Sequence, residues 1–411
     1  MQHYESEIAG KLRRYAVEAK TELENILAFW MKHALDEQNG GFVGQMHNNG
    51  TINQDAPKGG ILNTRILWSF SAAYRHTQNE QHRLIAERAY NYLMQHFWDK
   101  EYGGIYWSVN AKGEPLSTRK QIYALAFAIY GLSEYYLATQ EPKALEACKE
   151  LFQWIEQHSF DAEQGGYLEA FSREGELIED LRLSEKDRND PKTMNTHLHI
   201  LEAYANLYRA WPDEKLAKQL GGLIHVFLKH IVDAETGHMK LFFSSDWQST
   251  ANLVSYGHDI EASWLLHEAA EVLGKAELLH QVEASAIAMA KEAATELQPD
   301  GSLYHELNKE ENHYDKHREW WVSAEAMVGF LNAYQLTKNE LYLNSSWNAW
   351  QFSKNHLLDK EKGEWLWGVY DDYNIMKSED KIGFWKCPYH NARACLEVTN
   401  RCQKLLNLSS L

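Results

Sequence analysis

Apolar residues recur at three- and four-residue steps through most of the chain, the spacing of a helix that buries one face. Residues 61–75, 80–99, 121–139 and 144–161 show the pattern most clearly. They alternate between a more apolar segment and a more charged one, with a short turn between the two. The pattern therefore predicts helices rather than strands, arranged as successive pairs.

A short loop pattern separates the helix pairs and repeats along the chain. It reads Asp, a few polar residues, one or two Gly, and then aromatic or apolar residues, as in DKEYGGIYW. The copies begin at Asp36, Asp99, Asp161 and Asp233, with weaker copies near Asp300 and at Asp359. The first four copies are 63, 62 and 72 residues apart. Self-similarity at such a period indicates a repeat architecture.

Two further helices flank these units, one over residues 5–35 and one from about Pro388, and together they make a sixth pair. We therefore expect an all-α fold, an (α/α)6 barrel of six helix pairs with long loops around one mouth, as a single domain over residues 1–411. An open superhelical array is the alternative. The polar caps expected of such an array are absent from the last helix, YHNARACLEVTNRCQKLL, which is rich in functional groups.

Composition narrows the partners that the chain can bind. The net charge is −17, and no basic run offers a stripe for phosphates, so we expect no nucleic-acid partner. Aromatic residues make up 12% of the chain, with 15 Trp and 22 Tyr. Such residues suit a ligand with apolar faces and polar edges. We expect a small-molecule oligosaccharide substrate.

Cysteine usage and the N-terminus bear on the compartment. The four cysteines are Cys148, Cys387, Cys395 and Cys402, and they form no CxxC pair. They are interpreted as buried thiols in a reducing compartment. The N-terminal residues have no apolar signal core, and no stretch has the length of a membrane span. We expect a cytoplasmic monomer that does not bind a membrane.

Functional side chains collect where the inner helices begin. In the barrel these positions and the long loops surround one mouth, which predicts a single polar pocket lined by aromatic residues. The candidates are Arg65, Tyr123, Asn195, His199, His258, Glu261, Trp321, Glu325, Trp385 and His390.

Each candidate also has a purely structural interpretation. Arg65 could form a buried ion pair, Asn195 could cap a helix, and His199 could bond a backbone carbonyl in the core. Trp321 alone would more often be a core residue, whereas Glu325 on an inward apolar face must be paired. His197-x-His199 and His258-x-x-Glu261 have spacings found in metal sites, but no HExxH, paired CxxC or nucleotide fingerprint occurs. We expect no metal and no cofactor.

Four motifs carry a family resemblance: MNTHLHILEAY, GHDIEASW, EWWVSAEAM and WKCPYHNARACLE. In this order, and over nearly the whole chain, they resemble the N-acylglucosamine 2-epimerase superfamily and are most similar to its cellobiose-epimerising branch. The resemblance implies an (α/α)6 barrel, which the repeat predicts independently. It also implies an isomerase that acts on carbohydrates without a cofactor.

The resemblance assigns roles to most of the candidates. The general acid/base residues of the family fall on His258 and His390, and groups that hold the sugar oxygens and stabilise the intermediate fall on Arg65 and His199. Asn195 and Glu261 fall on neighbouring polar positions, and Glu261 is close enough in sequence to orient a histidine. Trp321 and Trp385 fall on aromatics that stack on the sugar, and Glu325 lies in the same helix as Trp321. Tyr123 is added from its position alone.

The implied reaction is inversion at C2 of the reducing-end glucose of a β-1,4-linked disaccharide, cellobiose and also lactose, through ring opening and a cis-enediolate. Histidine suits both proton transfers because its ordinary pKa is about 6.5. Alternatives are an N-acylglucosamine 2-epimerase or a mannose or glucose isomerase of the same superfamily. Two alternatives belong to other functional classes. One is a sugar-binding module without catalytic activity. The other is a glycoside hydrolase whose acid and base are Glu261 and Glu325, or include Asp371 or Asp372.

Overall fold

A computed structural model of the chain describes residues 2–408, which contain twelve α-helices. In chain order they are α1 (Gln2–His33), α2 (Gly60–Thr77), α3 (Glu80–Tyr92), α4 (Ile122–Thr139), α5 (Pro142–His158), α6 (Met194–Ala210), α7 (Glu214–Val226), α8 (Tyr256–Leu273), α9 (Ala276–Thr295), α10 (Trp320–Thr337), α11 (Glu340–Phe352) and α12 (Tyr389–Leu408). π-Helical turns at Leu93–Phe97, Phe227–Ile231 and Ser353–Leu357 extend α3, α7 and α11. The even-numbered helices form an inner ring and the odd-numbered helices an outer ring.

The two rings differ in how their helices are buried. Helix α4, in the inner ring, is buried at every residue from Ile122 to Tyr135. Helix α5, in the outer ring, buries Ala144, Ala147, Leu151 and Ile155, which are spaced three and four residues apart and line one face. The sequence pattern thus separates a helix such as α4, which is buried on all sides, from an amphipathic helix such as α5.

The inner ring is closed. Each inner helix packs against the next, from α2 through α4, α6, α8 and α10 to α12, and α12 returns to α2. Helix α1 packs along α12 and completes the sixth pair, as the sequence predicted. The (α/α)6 barrel is therefore confirmed, and the open array is wrong. The first helix ends at His33 rather than residue 35, and the last begins one residue after Pro388.

Short strands, which the sequence analysis did not predict, connect the loops at the mouth. They are β1 (Met46–His47), β2 (Lys58–Gly59), β3 (Ser108–Val109), β4 (Pro115–Ser117), β5 (Lys120–Gln121), β6 (Ala170–Phe171), β7 (Lys192–Thr193), β8 (Phe242–Phe243), β9 (Leu253–Ser255), β10 (Glu306–Asn308), β11 (His313–Asp315), β12 (Arg318–Glu319), β13 (Gly368–Val369) and β14 (Asp380–Ile382). The antiparallel sheets are β2-β3-β4, β5-β6, β7-β8, β9-β10-β11, β12-β13 and β1-β14. The β1-β14 pair connects the first loop to the last one and so completes the ring of loops around the mouth.

The repeated Asp loop is held by a buried lysine. In the first copy, Asp36 accepts the backbone N–H of Asn39 at 2.8 Å, and Lys58 donates to the Asp36 carboxylate at 2.8 Å. Gly40 and Gly41 follow with φ of 80° and 63°, in the left-handed region that glycine adopts at no steric cost. The equivalent lysine-to-aspartate distances are 2.8 Å for Lys120–Asp99, 2.7 Å for Lys192–Asp161 and 2.6 Å for Lys381–Asp359.

The four cysteines are buried and free, as expected of small apolar residues in a core. In the part of the chain from residue 2 to residue 408, no helix has both the length and the apolar character needed to cross a membrane.

Candidate active site

The sequence-predicted residues meet at the end of the barrel where the inner helices begin. Arg65 on α2 donates a hydrogen bond from Nη2 to the Tyr123 hydroxyl on α4 at 2.8 Å. The Tyr123 ring lies edge-on to His199 on α6, with ring centroids 5.0 Å apart. It also lies edge-on to Trp385, just before α12, at 5.9 Å. Three inner helices and the last loop thus contribute to one pocket.

Two histidines, on the inner helices α8 and α12 that flank α10, share one aromatic neighbour on α10. The Trp321 ring centroid lies 4.7 Å from His258 and 5.8 Å from His390. The Nδ1 atom of His258 lies 2.7 Å from the Ser255 hydroxyl, and Nδ1 of His390 lies 2.7 Å from Oε1 of Glu325. Burial lowers the pKa of His258 to about 3, and it lowers that of His390 to about 3 although Glu325 opposes the shift. Both imidazoles are therefore neutral at neutral pH.

One guanidinium joins three carboxyl groups beside the histidines. Arg393, one turn after His390, donates to Oε1 of Glu261 at 2.9 Å, to Oε1 of Glu325 at 2.7 Å and to Glu202. Burial and the neighbouring Glu325 carboxylate raise the pKa of Glu261 well above its ordinary value. Burial also opposes ionisation of Glu325, but Arg393 and His390 lower its pKa to about 2. Glu261 thus retains a proton more readily than Glu325.

Arg65 is a buried cation without a carboxylate partner among residues 2–408. Its guanidinium carbon lies 4.2 Å from the ring centroid of Phe127 and 4.8 Å from that of Tyr389. Its polar neighbour is Tyr123, whose pKa burial raises, so the phenol remains protonated. The Nε atom of Arg65 has no hydrogen-bond partner in the described chain. The ion pair considered from sequence is wrong, and the positive charge is available to an oxyanion.

The start of α6 separates functional from structural residues. His199 donates from Nδ1 to Glu202 at 2.9 Å, so it is not the core histidine bonded to a carbonyl that the sequence allowed. That description fits His197, whose Nδ1 lies 2.6 Å from the Thr193 carbonyl. Thr193 is also the N-cap of α6, so the capping role considered for Asn195 is wrong. The Asn195 side-chain oxygen has no partner within residues 2–408.

Trp385 and Trp264 lie at two different depths in the barrel. Trp385 lies at the mouth and contacts Trp107 at a centroid distance of 5.9 Å. Trp264 is buried deeper, where its Nε1 donates to Glu325 at 2.9 Å and its ring faces Arg393 at 4.7 Å. Trp264 therefore packs below the pocket, whereas Trp385 can contact a ligand.

Comparison with known proteins identifies the family. The family described as N-acylglucosamine 2-epimerase (GlcNAc 2-epimerase) matches residues 40–394. A cellobiose 2-epimerase of Bacteroides fragilis is 51% identical over 373 residues, which cover 91% of this chain and 95% of that protein. One from Dictyoglomus turgidum is 40% identical over 92% of this chain and 95% of its own length.

The chain belongs to the N-acylglucosamine 2-epimerase family. It is a carbohydrate epimerase, an enzyme of the isomerase class, as the motifs predicted. The structure of cellobiose 2-epimerase from Bacillus thermoamylovorans superposes with a TM-score of 0.91 at 42% identity, covering 95% of this chain and 100% of that one. The fold that the repeat predicted is therefore also the fold of this family member.

Two residues of this epimerase were missed at the sequence level, Glu202 and Arg393. Each lies three residues after a candidate histidine, Glu202 after His199 and Arg393 after His390, and so lies on the same helix face as that histidine. That spacing was the available signal. What the sequence did not show is that the two side chains meet across the barrel.

Within the described part of the chain, two groups of side chains are close enough to share a metal ion, with ligand atoms within 4.8 Å of one another. They are His305, Asp315 and His317, and Glu261, Glu325 and His390. In the second group Arg393 already bonds both carboxylates, and a second cation there would be repelled. In the first group both ring nitrogens of His317 face carboxylates. Neither arrangement favours a metal, and the expectation that none is needed stays a prediction.

Proposed function

We propose that this epimerase inverts C2 of the reducing-end glucose of β-1,4-linked disaccharides. Cellobiose gives 4-O-β-D-glucosyl-D-mannose, and lactose gives epilactose. The relatives called cellobiose 2-epimerase support the choice of substrate. The observation that carries the reaction is the pair of buried neutral histidines, His258 and His390, which both contact Trp321 and are both held through Nδ1.

Inversion at C2 needs a base on one face of the carbon and an acid on the other. Once the ring is open, the C1 carbonyl acidifies the C2 proton, because the charge spreads into an enediolate. One histidine, as neutral imidazole, takes that proton and becomes imidazolium, while the other gives the proton of its ring N–H to the opposite face of C2. Proton exchange with solvent then restores both rings, so the reaction has no net consumption of protons. Neutral imidazole is the form that accepts the proton, and the pKa of both rings favours it.

The two histidines are held differently. A carboxylate only accepts hydrogen bonds, so His390 donates from Nδ1 to Glu325, and its Nε2 carries a lone pair when the ring is neutral. Ser255 can donate or accept, so His258 can carry its proton on either nitrogen. We propose that both rings work through Nε2, with His390 fixed as a base in the resting enzyme.

The enediolate oxygens need positive or hydrogen-bonding partners. Arg65 offers a guanidinium that no carboxylate neutralises within residues 2–408, and such a donor contributes about 3–4 kcal/mol to an oxyanionic transition state. His199 and Asn195 add a ring nitrogen and an amide oxygen for the sugar hydroxyls. Trp321 and Trp385 provide the aromatic faces on which the sugar rings stack.

The carboxylates are placed poorly for glycoside hydrolysis. Glu261 and Glu325 share one guanidinium, and Glu325 also holds His390, so both groups support other side chains. Asp371 is bonded to Arg318. A hydrolase needs two carboxyl groups free to flank the scissile bond. This arrangement supports proton transfer by histidine over hydrolysis.

The test is incubation of chelator-treated enzyme with cellobiose in D2O, followed at C2 by NMR. We expect the glucosyl-mannose product with deuterium at C2, at the same rate before and after chelation. Release of glucose would contradict the proposal and favour the carboxylate pair. Turnover of N-acetylglucosamine or mannose with cellobiose unchanged would retain the family and reject the disaccharide substrate. Lactose in place of cellobiose tests the second substrate.

A further inference from the structure

Trp321 is the aromatic wall that both proposed catalytic histidines contact, and its position is constrained from one face. A Cβ atom on Gly257 would lie 2.5 Å from Cη2 and 2.6 Å from Cζ3 of the Trp321 ring. The ring therefore packs directly on the backbone that precedes His258. Glycine at 257 is what allows this approach, because any side chain there would push the indole away.

The edge of the same ring is held by Glu319, which is buried beside it in strand β12. Nε1 of Trp321 donates to Oε2 of Glu319 at 2.5 Å. The other oxygen, Oε1, accepts from Nε1 of Trp367 at 3.0 Å and from Nε2 of His317 at 3.0 Å. Both carboxylate oxygens thus accept hydrogen bonds. Burial would raise the pKa of Glu319, but the neighbouring His305 and His317 lower it to about 2.

His317 is itself held between two carboxylates. Its Nε2 faces Glu319, and its Nδ1 is bonded to Asp315. Carboxylates only accept, so both ring nitrogens must carry protons and the ring is an imidazolium. The other titratable groups that face it are His305, stacked at a centroid distance of 4.3 Å, and the carboxyl of Glu306. The neighbours Lys316 and Arg318 are paired with Asp371 instead.

We propose that Glu319 and His317 are positioning residues that fix the indole of Trp321 against His258 and His390. The proposal rests on the proposed function, in which the Trp321 face binds the reducing-end sugar. Glu319 sets the edge of the indole, Gly257 sets its face, and His317 keeps Glu319 ionised and oriented. None of the three touches the reacting atoms, so their effect falls on how well the sugar is bound rather than on proton transfer.

The arrangement also predicts a pH dependence of substrate binding. Burial would lower the pKa of His317, but Glu319 and Asp315 raise it above the ordinary value. As the pH rises through that raised pKa, the ring loses a proton and one of its two carboxylate contacts. The KM for cellobiose then increases on the alkaline side, separately from any change in kcat.

The experiment compares E319Q with a matched control, E22Q. Glutamine has one acceptor oxygen where glutamate has two. The orientation that satisfies most donors directs this oxygen to Trp367 and His317, and it leaves the amide N–H facing Trp321. Glu22 accepts the indole N–H of Trp365 at 2.8 Å and is also buried, so E22Q makes the same change elsewhere. We expect the KM for cellobiose to rise about tenfold in E319Q with kcat within about threefold, and E22Q to leave KM unchanged.

Two further variants keep the proposal testable if E319Q does not fold. H317Q should raise KM about threefold and remove its alkaline increase. G257A should raise KM by pushing on the ring face. The Nε1–H resonance of Trp321 in 15N-tryptophan-labelled enzyme, assigned by its loss in W321F, should move upfield in E319Q as its bond to the carboxylate is lost.

The outcomes separate this proposal from the function on which it rests. A wild-type enzyme active on cellobiose whose KM is unchanged in E319Q, H317Q and G257A overturns the positioning role alone. An indole resonance that does not move in E319Q overturns the contact itself. A wild-type enzyme inactive on cellobiose removes the proposed function, and the positioning role falls with it.

Discussion

Two sets of buried charges lie at the same end of this barrel and are satisfied to different degrees. In the first loop, Lys58 is 1% exposed and Asp36 4%, and each of the two has the other as its opposite charge together with a backbone partner. In the pocket, Arg65 is equally buried but has no carboxylate partner within residues 2–408. Asn195 Oδ1 and Glu261 Oε2 likewise lack a hydrogen-bond partner there.

We infer from the difference that the paired charges serve the fold and the unpaired ones serve the proposed chemistry. An unpaired buried polar group lowers stability, so a fold retains it where another molecule supplies the partner. The lysine–aspartate pairs already hold their partners and fix the loops. In the proposed function, the unpaired groups of the pocket form their hydrogen bonds with the hydroxyl groups and oxygens of the sugar. The comparison predicts opposite effects of substitution in the two sets.

The largest expected effect is on turnover when either pocket histidine is removed. His258→Ala and His390→Ala should each lower kcat for cellobiose by about 10³-fold, because general acid–base transfer contributes about 10²–10⁴-fold. The matched control is His197→Ala, which removes a histidine bonded within the core. This control should lower the free energy of unfolding by about 1–3 kcal/mol and leave kcat nearly unchanged. Similar kcat losses in all three variants would contradict the comparison.

Removing a loop lysine should cost stability rather than activity. Lys58→Met leaves Asp36 buried without its cation, which we expect to lower the free energy of unfolding by about 3–5 kcal/mol. Urea denaturation measures this, with the exposed Lys362→Met as control. The folded fraction should retain the wild-type kcat. A loss of kcat with unchanged stability would assign Lys58 to the pocket set.

The matched substitution in the pocket should do the reverse. Arg65→Met removes a cation without leaving a buried carboxylate unpaired. The free energy of unfolding should therefore stay within about 1 kcal/mol of the wild-type value. The kcat should fall by about 10²–10³-fold, since the enediolate loses its cationic partner. Steady-state kinetics and urea denaturation of the same preparation provide both values. Destabilisation as large as in Lys58→Met would mean that Arg65 is structural.

A smaller, pH-dependent effect is expected at Glu169, a buried carboxyl that has hydrogen-bond partners but no cationic partner among the residues that the structure describes. It accepts from Thr193 N–H at 2.7 Å and from the Thr196 hydroxyl, and burial raises its pKa to about 8. The folded state keeps a proton that the unfolded chain releases near pH 4.5. The contribution of Glu169 to the free energy of unfolding is therefore largest below pH 4.5, and it decreases as the pH rises to about 8.

Glu169→Gln should remove this dependence. The wild-type free energy of unfolding should fall by at most about 1.4 kcal/mol per pH unit between pH 5.5 and 7.5 through this group, and the variant should lack that contribution. Urea denaturation at three pH values measures the slope, with the exposed Glu163→Gln as control. Equal slopes in the variant and the wild type would show that Glu169 is ionised in the folded enzyme.

The fold was predictable because the information is local and repeated. Each helical segment shows its own apolar periodicity, and a copy of the Asp loop separates each helix pair from the next. The strands at the mouth were not predictable, because elements of two or three residues are too short to show alternation. The pairing of β1 with β14 joins residues more than 330 positions apart, which no local pattern records.

The candidate site was predictable in its positions but not in its connections. The four motifs place the histidines and Trp321 at the starts of inner helices, the helical pattern places Arg65 at the start of another, and the structure brings them together. The sequence does not show that Arg393 bonds three carboxyl groups or that Glu319 holds the indole of Trp321. Those contacts depend on how the helices and loops are packed in the closed ring, so they become visible only in three dimensions.

The central claim is that one histidine serves each face of C2, and isotope exchange in the single variants tests it most directly. Cellobiose and its glucosyl-mannose epimer are each incubated in D2O with His258→Ala and with His390→Ala, and loss of the C2 proton is followed by NMR. We expect each variant to exchange the C2 proton of only one epimer and the two variants to act on opposite epimers, with epimerisation about 10³-fold slower than in the wild type in both. Exchange of both epimers by one variant would contradict the account, since a single remaining base would then serve both faces.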